Sequence, residues 1–135
     1  MKRQEEVRKV DALGEIGQVA PLQVWEGVTG RRVEGERITM ALVELQPDAH
    51  VPEHRHPNEQ IGICLRGGGR FRVGDEEREM APGVTWRILA DIPHELYVGP
   101  DGATVIDIFS PPRADWNGLP DATDRRSVWL DELTR

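Results

Sequence analysis

Proline and glycine interrupt this chain roughly every eight to twelve residues, and the stretches between them are short and rich in β-branched and aromatic side chains. That spacing belongs to short strands in a sandwich or barrel, so the chain is expected to be all-β. The segments that fit are Gln23 to Trp25, Ile38 to Leu45, Gln60 to Arg66, Gly69 to Gly74, Thr85 to Leu89, His94 to Val98 and Thr104 to Phe109. Turn signals separate them at Gln46-Pro47-Asp48, Arg66-Gly67-Gly68-Gly69, Ala81-Pro82-Gly83, Gly99-Pro100-Asp101-Gly102 and Ser110-Pro111-Pro112. The glycine run at 67–69 is read as a tight hairpin turn and not a phosphate loop, because no Gly-Lys-Ser/Thr follows it. Gln4 to Leu13 is expected to form a short helix or an edge strand. Arg125 to Leu133 is expected to form a helical turn that packs Val128, Trp129 and Leu133 on the domain.

With 135 residues the chain suits one domain, and a domain near this length buries roughly two-thirds of the surface its unfolded form exposes. A core is therefore available without disulfides. Cys64 is the single cysteine, so no intramolecular bridge and no Cys₄ or Cys₂His₂ zinc site can form, and any metal must rest on histidine, carboxylate or amide ligands. The 17 basic residues against 24 acidic ones give a net charge of −7, which argues against a nucleic-acid partner because that mode needs a basic face. Met1 to Val10 is charged, and no window approaches the roughly 20 apolar residues that span a bilayer. The expectation is a cytoplasmic protein with a small-molecule partner, no nucleic acid and no membrane, dimerising through flat sheet edges or terminal segments.

Three of the four histidines fall into one pattern: His54-x-His56, then Gln60, then His94 after Pro93. Residues i and i+2 of a strand share a face, so His54 and His56 would present two imidazoles to one point. From that pair alone a solvated loop explains them equally well. A third imidazole from a distant strand completes a set of neutral nitrogen donors suited to a divalent transition metal, with the Gln60 amide oxygen as a fourth. Glu59 competes with Gln60, but strand parity favours Gln60. Asp107 and Phe109 alternate with Ile106 and Ile108, so both would face the interior, where Asp107 could act as general acid or base. Arg113, beyond Pro111-Pro112, could pair bidentately with a carboxylate. His50 is read as exposed, Cys64 as a small buried hydrophobe, and Trp25, Trp86, Trp116 and Trp129 as core or interface packing.

The stretch His54-Arg55-His56-Pro57-Asn58-Glu59-Gln60-Ile61-Gly62 with Leu65-Arg66-Gly67 resembles the first motif of the cupins, and Ala81-Pro82-Gly83 through Ile92-Pro93-His94 resembles the second. Within that family the chain is most similar to the pectin-degradation (KdgF) type, which reads His-x-His-Pro-x-x-Gln and ends in Asp-Val-Phe-Ser-Pro-Pro-Arg. Here the ending is Asp107-Ile108-Phe109-Ser110-Pro111-Pro112-Arg113. The resemblance implies a single-domain double-stranded β-helix, or jelly-roll barrel, over residues 27–116, with an N-terminal extension over 1–26 and a C-terminal one over 117–135. It implies a metal held by His54, His56, Gln60 and His94, with Asp107 and Arg113 catalytic and Phe109 and Arg113 binding substrate. The metal would be a divalent transition ion: Zn, Ni, Mn, Fe or Cu. The implied activity is ring opening of 4,5-unsaturated uronic acids to keto-deoxyuronate. The alternatives are a cupin dioxygenase and a non-catalytic module that binds a small acid. Three positions depart from the pattern: Val84 stands where Asp is common, Leu89 where Pro is common, and Ala114 where an acidic residue is frequent.

Overall fold

A computed structural model describes residues 11–133 of the chain. Among them are eight strands: β1 (Leu22–Trp25), β2 (Val28–Glu34), β3 (Thr39–Leu45), β4 (His50–His54), β5 (Glu59–Val73), β6 (Glu76–Met80), β7 (Thr85–Ile88) and β8 (His94–Ser110). They pair antiparallel in the order β1-β2-β3-β8-β5-β6, with β4 also on β8 and β7 also on β5. The result is the expected all-β jelly-roll barrel. Alternation fills it: Ala41, Val43 and Leu45 of β3, Cys64 of β5, Trp86 and Ile88 of β7, and Val105 and Phe109 of β8 all point inward and are buried. Each large apolar side chain so placed contributes roughly 1.5–3 kcal/mol.

The glycines at 67–69 do not form a hairpin turn. They lie inside β5, which runs on for 15 residues and shifts register against β8 between Cys64 and Arg66 and again between Gly67 and Gly69. Gly67 has φ +73°, and a Cβ there would collide with the backbone of Gly102 and Ala103. Glycine thus lets two strands cross closely while one of them bends. The turn expected at 99–102 is likewise absorbed into β8, 17 residues long. Three strands have no counterpart in the expected set. β6 is an edge strand that is charged at four of its five positions, and a strand solvated on both faces has no alternation to read. β4 contains Pro52, and β2 contains the polar run Thr29-Gly30-Arg31-Arg32.

Residues 4–10 of the expected N-terminal element lie outside the described residues, and Asp11 to Leu13 are neither helix nor strand. The C-terminal helix forms as α1 (Val128–Leu133), but Val128 and Leu133 are exposed and only Trp129 and Leu130 are half-buried. Hydrogen bonds fasten this end instead. Arg31 donates to the Arg125 carbonyl, Ser127 donates to the buried Glu44 carboxylate, and Gln23 N–H donates to the Pro120 carbonyl (2.8 Å). The sheet therefore takes β1 from before residue 27 and holds chain from beyond residue 116. No helix among the described residues is long and apolar enough to cross a membrane.

Candidate metal centre

β4 ends at His54 and β8 begins at His94, and the register pairs these two residues directly. His56 is not on the strand with His54; it sits in the loop before β5, and that loop returns its imidazole to the same point. Ring centroids are 4.2 Å apart for His54–His94, 4.9 Å for His56–His94 and 5.8 Å for His54–His56. One ring nitrogen from each lies within 4.8 Å of the other two.

Backbone carbonyls fix the tautomers. The Nδ1 atoms of His54, His56 and His94 lie 2.8, 3.0 and 2.9 Å from the carbonyl oxygens of Pro52, Asn58 and Ile92. A carbonyl only accepts, so each Nδ1 carries the proton and each neutral ring offers a bare Nε2 lone pair. The His94 Nε2 is buried with no hydrogen-bond partner. His56 Nε2 faces Gln60 Oε1 at 3.1 Å. The Gln60 amide cannot be turned round to repair that contact, because its Nε2 donates to Asp107 Oδ1 at 2.8 Å. Two lone pairs therefore meet with no proton between them, which is unfavourable unless a cation takes both. The orphaned His94 nitrogen and this acceptor–acceptor contact are what a bound divalent ion would resolve, and four neutral donors fit a transition metal. Burial also holds His54 and His56 below the ordinary imidazole range and lowers His94 to about 4, so the rings stay neutral and ready to ligate at neutral pH.

Asp107 is buried on β8 and receives two donors on one oxygen: Gln60 Nε2 and the Trp86 indole Nε1 (2.7 Å), both on Oδ1. Oδ2 accepts no hydrogen bond among the described residues. Burial pushes this carboxyl above its usual range, and the hydrogen bonds from Trp86 and Gln60 together with the Arg113 charge pull it back. Gly62 stands between Trp86 and Asp107 in one register row across β7, β5 and β8.

Arg113 leads into a 3₁₀ turn at Ala114–Gly118, with its guanidinium carbon 4.6 Å from the Phe109 ring centre and 4.9 Å from that of Trp116. Its Nε and Nη2 bond Asp115 at 3.0 and 2.9 Å, so the fork expected for a ligand carboxylate already holds one, and Nη1 is left over. Those bonds hold the Asp115 carboxyl below its usual range. Asn58 ties the Pro111 and Pro112 carbonyls (2.6 and 3.3 Å), which sets where Arg113 emerges. The cavity shared by His54, Gln60, His94, Asp107, Phe109 and Arg113 encloses about 70 Å³, and its other walls are mostly apolar, with Trp25, Val43, Phe71 and Val105 among them.

All seven residues singled out from the sequence thus converge. Glu59 points outward, and His50 lies apart, bonded to Glu95 at 2.7 Å. Cys64 is buried, and burial raises its thiol pKa. Trp86, Asp115 and Asn58 were not anticipated. Trp86 carries a signal only once the register is known, since it shares a row with glycine and aspartate.

The family model for the Cupin domain matches residues 41–109. Among curated proteins none matches the sequence. Among solved structures, an RmlC-like cupin from Shewanella frigidimarina NCIMB 400 superposes with TM-score 0.72 at 18% identity, over 78% of this chain and 95% of that one. KdgF from Halomonas sp. superposes at 0.71 with 22% identity, over 78% and 98%. Oxalate decarboxylase from Bacillus subtilis gives 0.67 and 20%, over 87% of this chain and 32% of that one. At these identities the likeness establishes the barrel.

Proposed function

The chain belongs to the cupin family, and on that premise we propose that it is a metal-dependent enzyme that opens the ring of 4,5-unsaturated uronic acids to linear keto-deoxyuronate. One observation carries the reading: the buried carboxylate of Asp107 takes both of its hydrogen bonds on Oδ1, one of them from Gln60, and shares a cavity with His54, Gln60 and His94. A divalent ion on His54, His56, Gln60 and His94 would retain its full charge and stabilise an oxygen that becomes anionic.

The reaction is an isomerisation. The C1–O bond of the cyclic hemiacetal breaks, C1 becomes an aldehyde, and the released enol becomes a ketone. One proton leaves the C1 hydroxyl and one arrives at C4, so a single carboxylate that takes up and returns a proton suffices. Asp107 Oδ2 is assigned that task. Arg113 Nη1 would hold the substrate carboxylate as a point donor, with Phe109 beneath the guanidinium and lining the sugar. The motif match from His54 through Arg113 supports this substrate class.

A second reading, a cupin dioxygenase, draws support from the apolar walls of the cavity, which suit a less polar substrate. The test is metal-loaded protein incubated with an unsaturated uronate, following loss of conjugated-alkene absorbance against the spontaneous rate and a His94→Ala control. Acceleration that needs His94 is the expected result. No acceleration with bound metal confirmed overturns the uronate reading, and O₂ uptake then tests the second one. Thermal stabilisation by uronate without product would mark a binding module.

A further inference from the structure

We propose that Trp86 is a positioning residue of this centre: its indole N–H, reaching over Gly62, fixes the Asp107 carboxylate so that Oδ2 stays toward the cavity and Gln60 stays turned toward the metal position. The catalytic part of this inference rests on the reading of Asp107 as the proton-moving group; the positioning part rests on geometry alone.

Trp86, Gly62 and Asp107 are neighbours in one row on three adjacent strands. Strands lie about 4.8 Å apart, so Trp86 and Asp107 are separated by roughly twice that at the backbone. A side chain between them would block contact. A Cβ on Gly62 would overlap both Trp86 Nε1 and Asp107 Oδ1, so glycine is the residue that leaves the path open. Its backbone φ is not in the left-handed region, so conformation does not explain it. The indole is steadied from its other side by Phe71, with ring centroids 5.1 Å apart.

A buried tryptophan needs some acceptor for its N–H, and a backbone carbonyl would serve. Here the acceptor is the carboxylate of the centre, on the same oxygen that Gln60 uses. The two donors approach Oδ1 from β7 and from β5, and together they fix the terminal torsion of Asp107, which for a carboxylate is otherwise broad. With Gln60 alone the carboxylate could pivot about that one bond. It would then swing Oδ2 out of the cavity and release the amide orientation that keeps Gln60 Oε1 beside His56. Partners that orient ligands in this way typically contribute 10–100-fold to metal affinity or activity.

The experiment uses indole N–H resonances of uniformly ¹⁵N-labelled full-length protein, which has four tryptophans. The Trp86 signal is assigned by its loss in Trp86→Phe or, in the wild type, by its contact with Phe71. Adding Zn(II) to the wild type should shift the Trp86 indole and leave that of Trp129, on α1, in place; an unmoved Trp86 signal overturns the positioning claim. Trp86→Phe keeps an aromatic ring beside Phe71 and removes the N–H donor along with part of the indole volume. It should lower kcat on the uronate 10–100-fold with KM within about twofold, and should change the visible spectrum of the Co(II)-loaded protein. Gly62→Ala, which keeps the indole but separates it from Asp107, should do the same. A folded variant with wild-type kcat and Co(II) spectrum refutes the inference. If the wild type does not turn over uronate, the functional reading fails, and the indole and Co(II) measurements still decide the role of Trp86.

Discussion

Mild acid should destabilise the metal-free chain through its buried histidines; Asp107, pushed up by burial, acts with the opposite sign and is common to the wild type and the His94 variant compared below. Burial lowers His94 to about 4, against 6.5 in the unfolded chain. Above 6.5 both states are neutral and the difference contributes nothing. As pH falls below 6.5 the unfolded state binds a proton that the folded state refuses, so stability falls, and the loss is complete near pH 4. The gap of about 2.5 units corresponds to about 3 kcal/mol, and roughly 2 kcal/mol is already lost at pH 5. His54 and His56 are lowered by the same burial and add with the same sign. Asp115, held low by Arg113, acts only at more acidic pH, because its stabilisation is lost as pH falls from its unfolded value of 3.8. The assay is urea unfolding in EDTA at pH 7.5 and 5.0 for the wild type and for His94→Asn, which does not titrate. The wild type should lose about 2 kcal/mol more than the variant between the two conditions. Equal losses would refute the claim that His94 is kept neutral by its surroundings.

Gln60→Glu would set a second carboxylate beside Asp107 Oδ1, so one of the pair should hold a proton at neutral pH; metal should bind more tightly and turnover should fall, read by Zn(II) titration and kcat. Asp115→Asn should free the Arg113 fork and lower the inhibition constant of acetate severalfold. The Asp115 side chain is 62% exposed, so stability should change by no more than about 1 kcal/mol in a thermal melt. Ser127→Ala should leave buried Glu44 with Thr104 alone as donor, cost roughly 1–3 kcal/mol in urea unfolding, and speed proteolysis after Ala122.

The barrel and the convergence of the candidate ligands could be read from the chain because the relevant signals are local. Alternation placed Asp107, Phe109, Gln60 and Cys64 on the inner face, and it did so without knowledge of their neighbours. The His54–His56 pairing came from the right residues by the wrong route, since a loop carries His56. What stayed hidden depends on long-range register. The glycines of β5 read as punctuation, because a bend inside a long strand and a hairpin turn use the same residue. Trp86 read as core, and only its row-mate Gly62 and the strand beyond reveal its acceptor. Asp115 was obscured by the departure at Ala114: the acidic group is present one position later, and a 3₁₀ turn brings it back to Arg113.

The charge balance of the site explains why an amide occupies position 60. The three imidazoles are kept neutral by burial and Gln60 carries no charge, so a divalent ion would keep both its charges. Asp107 removes one of them, and Arg113 and Asp115 cancel each other. With such an ion bound, the centre would hold about one net positive charge inside a chain whose formal charge is −7, a local exception that would attract one anionic group at short range while the rest of the surface repels it. A carboxylate at position 60 would erase that exception and also confront Asp107 across 2.8 Å. The amide avoids both, and through its N–H it joins the candidate ligand set and the Asp107 carboxylate in one hydrogen-bonded unit.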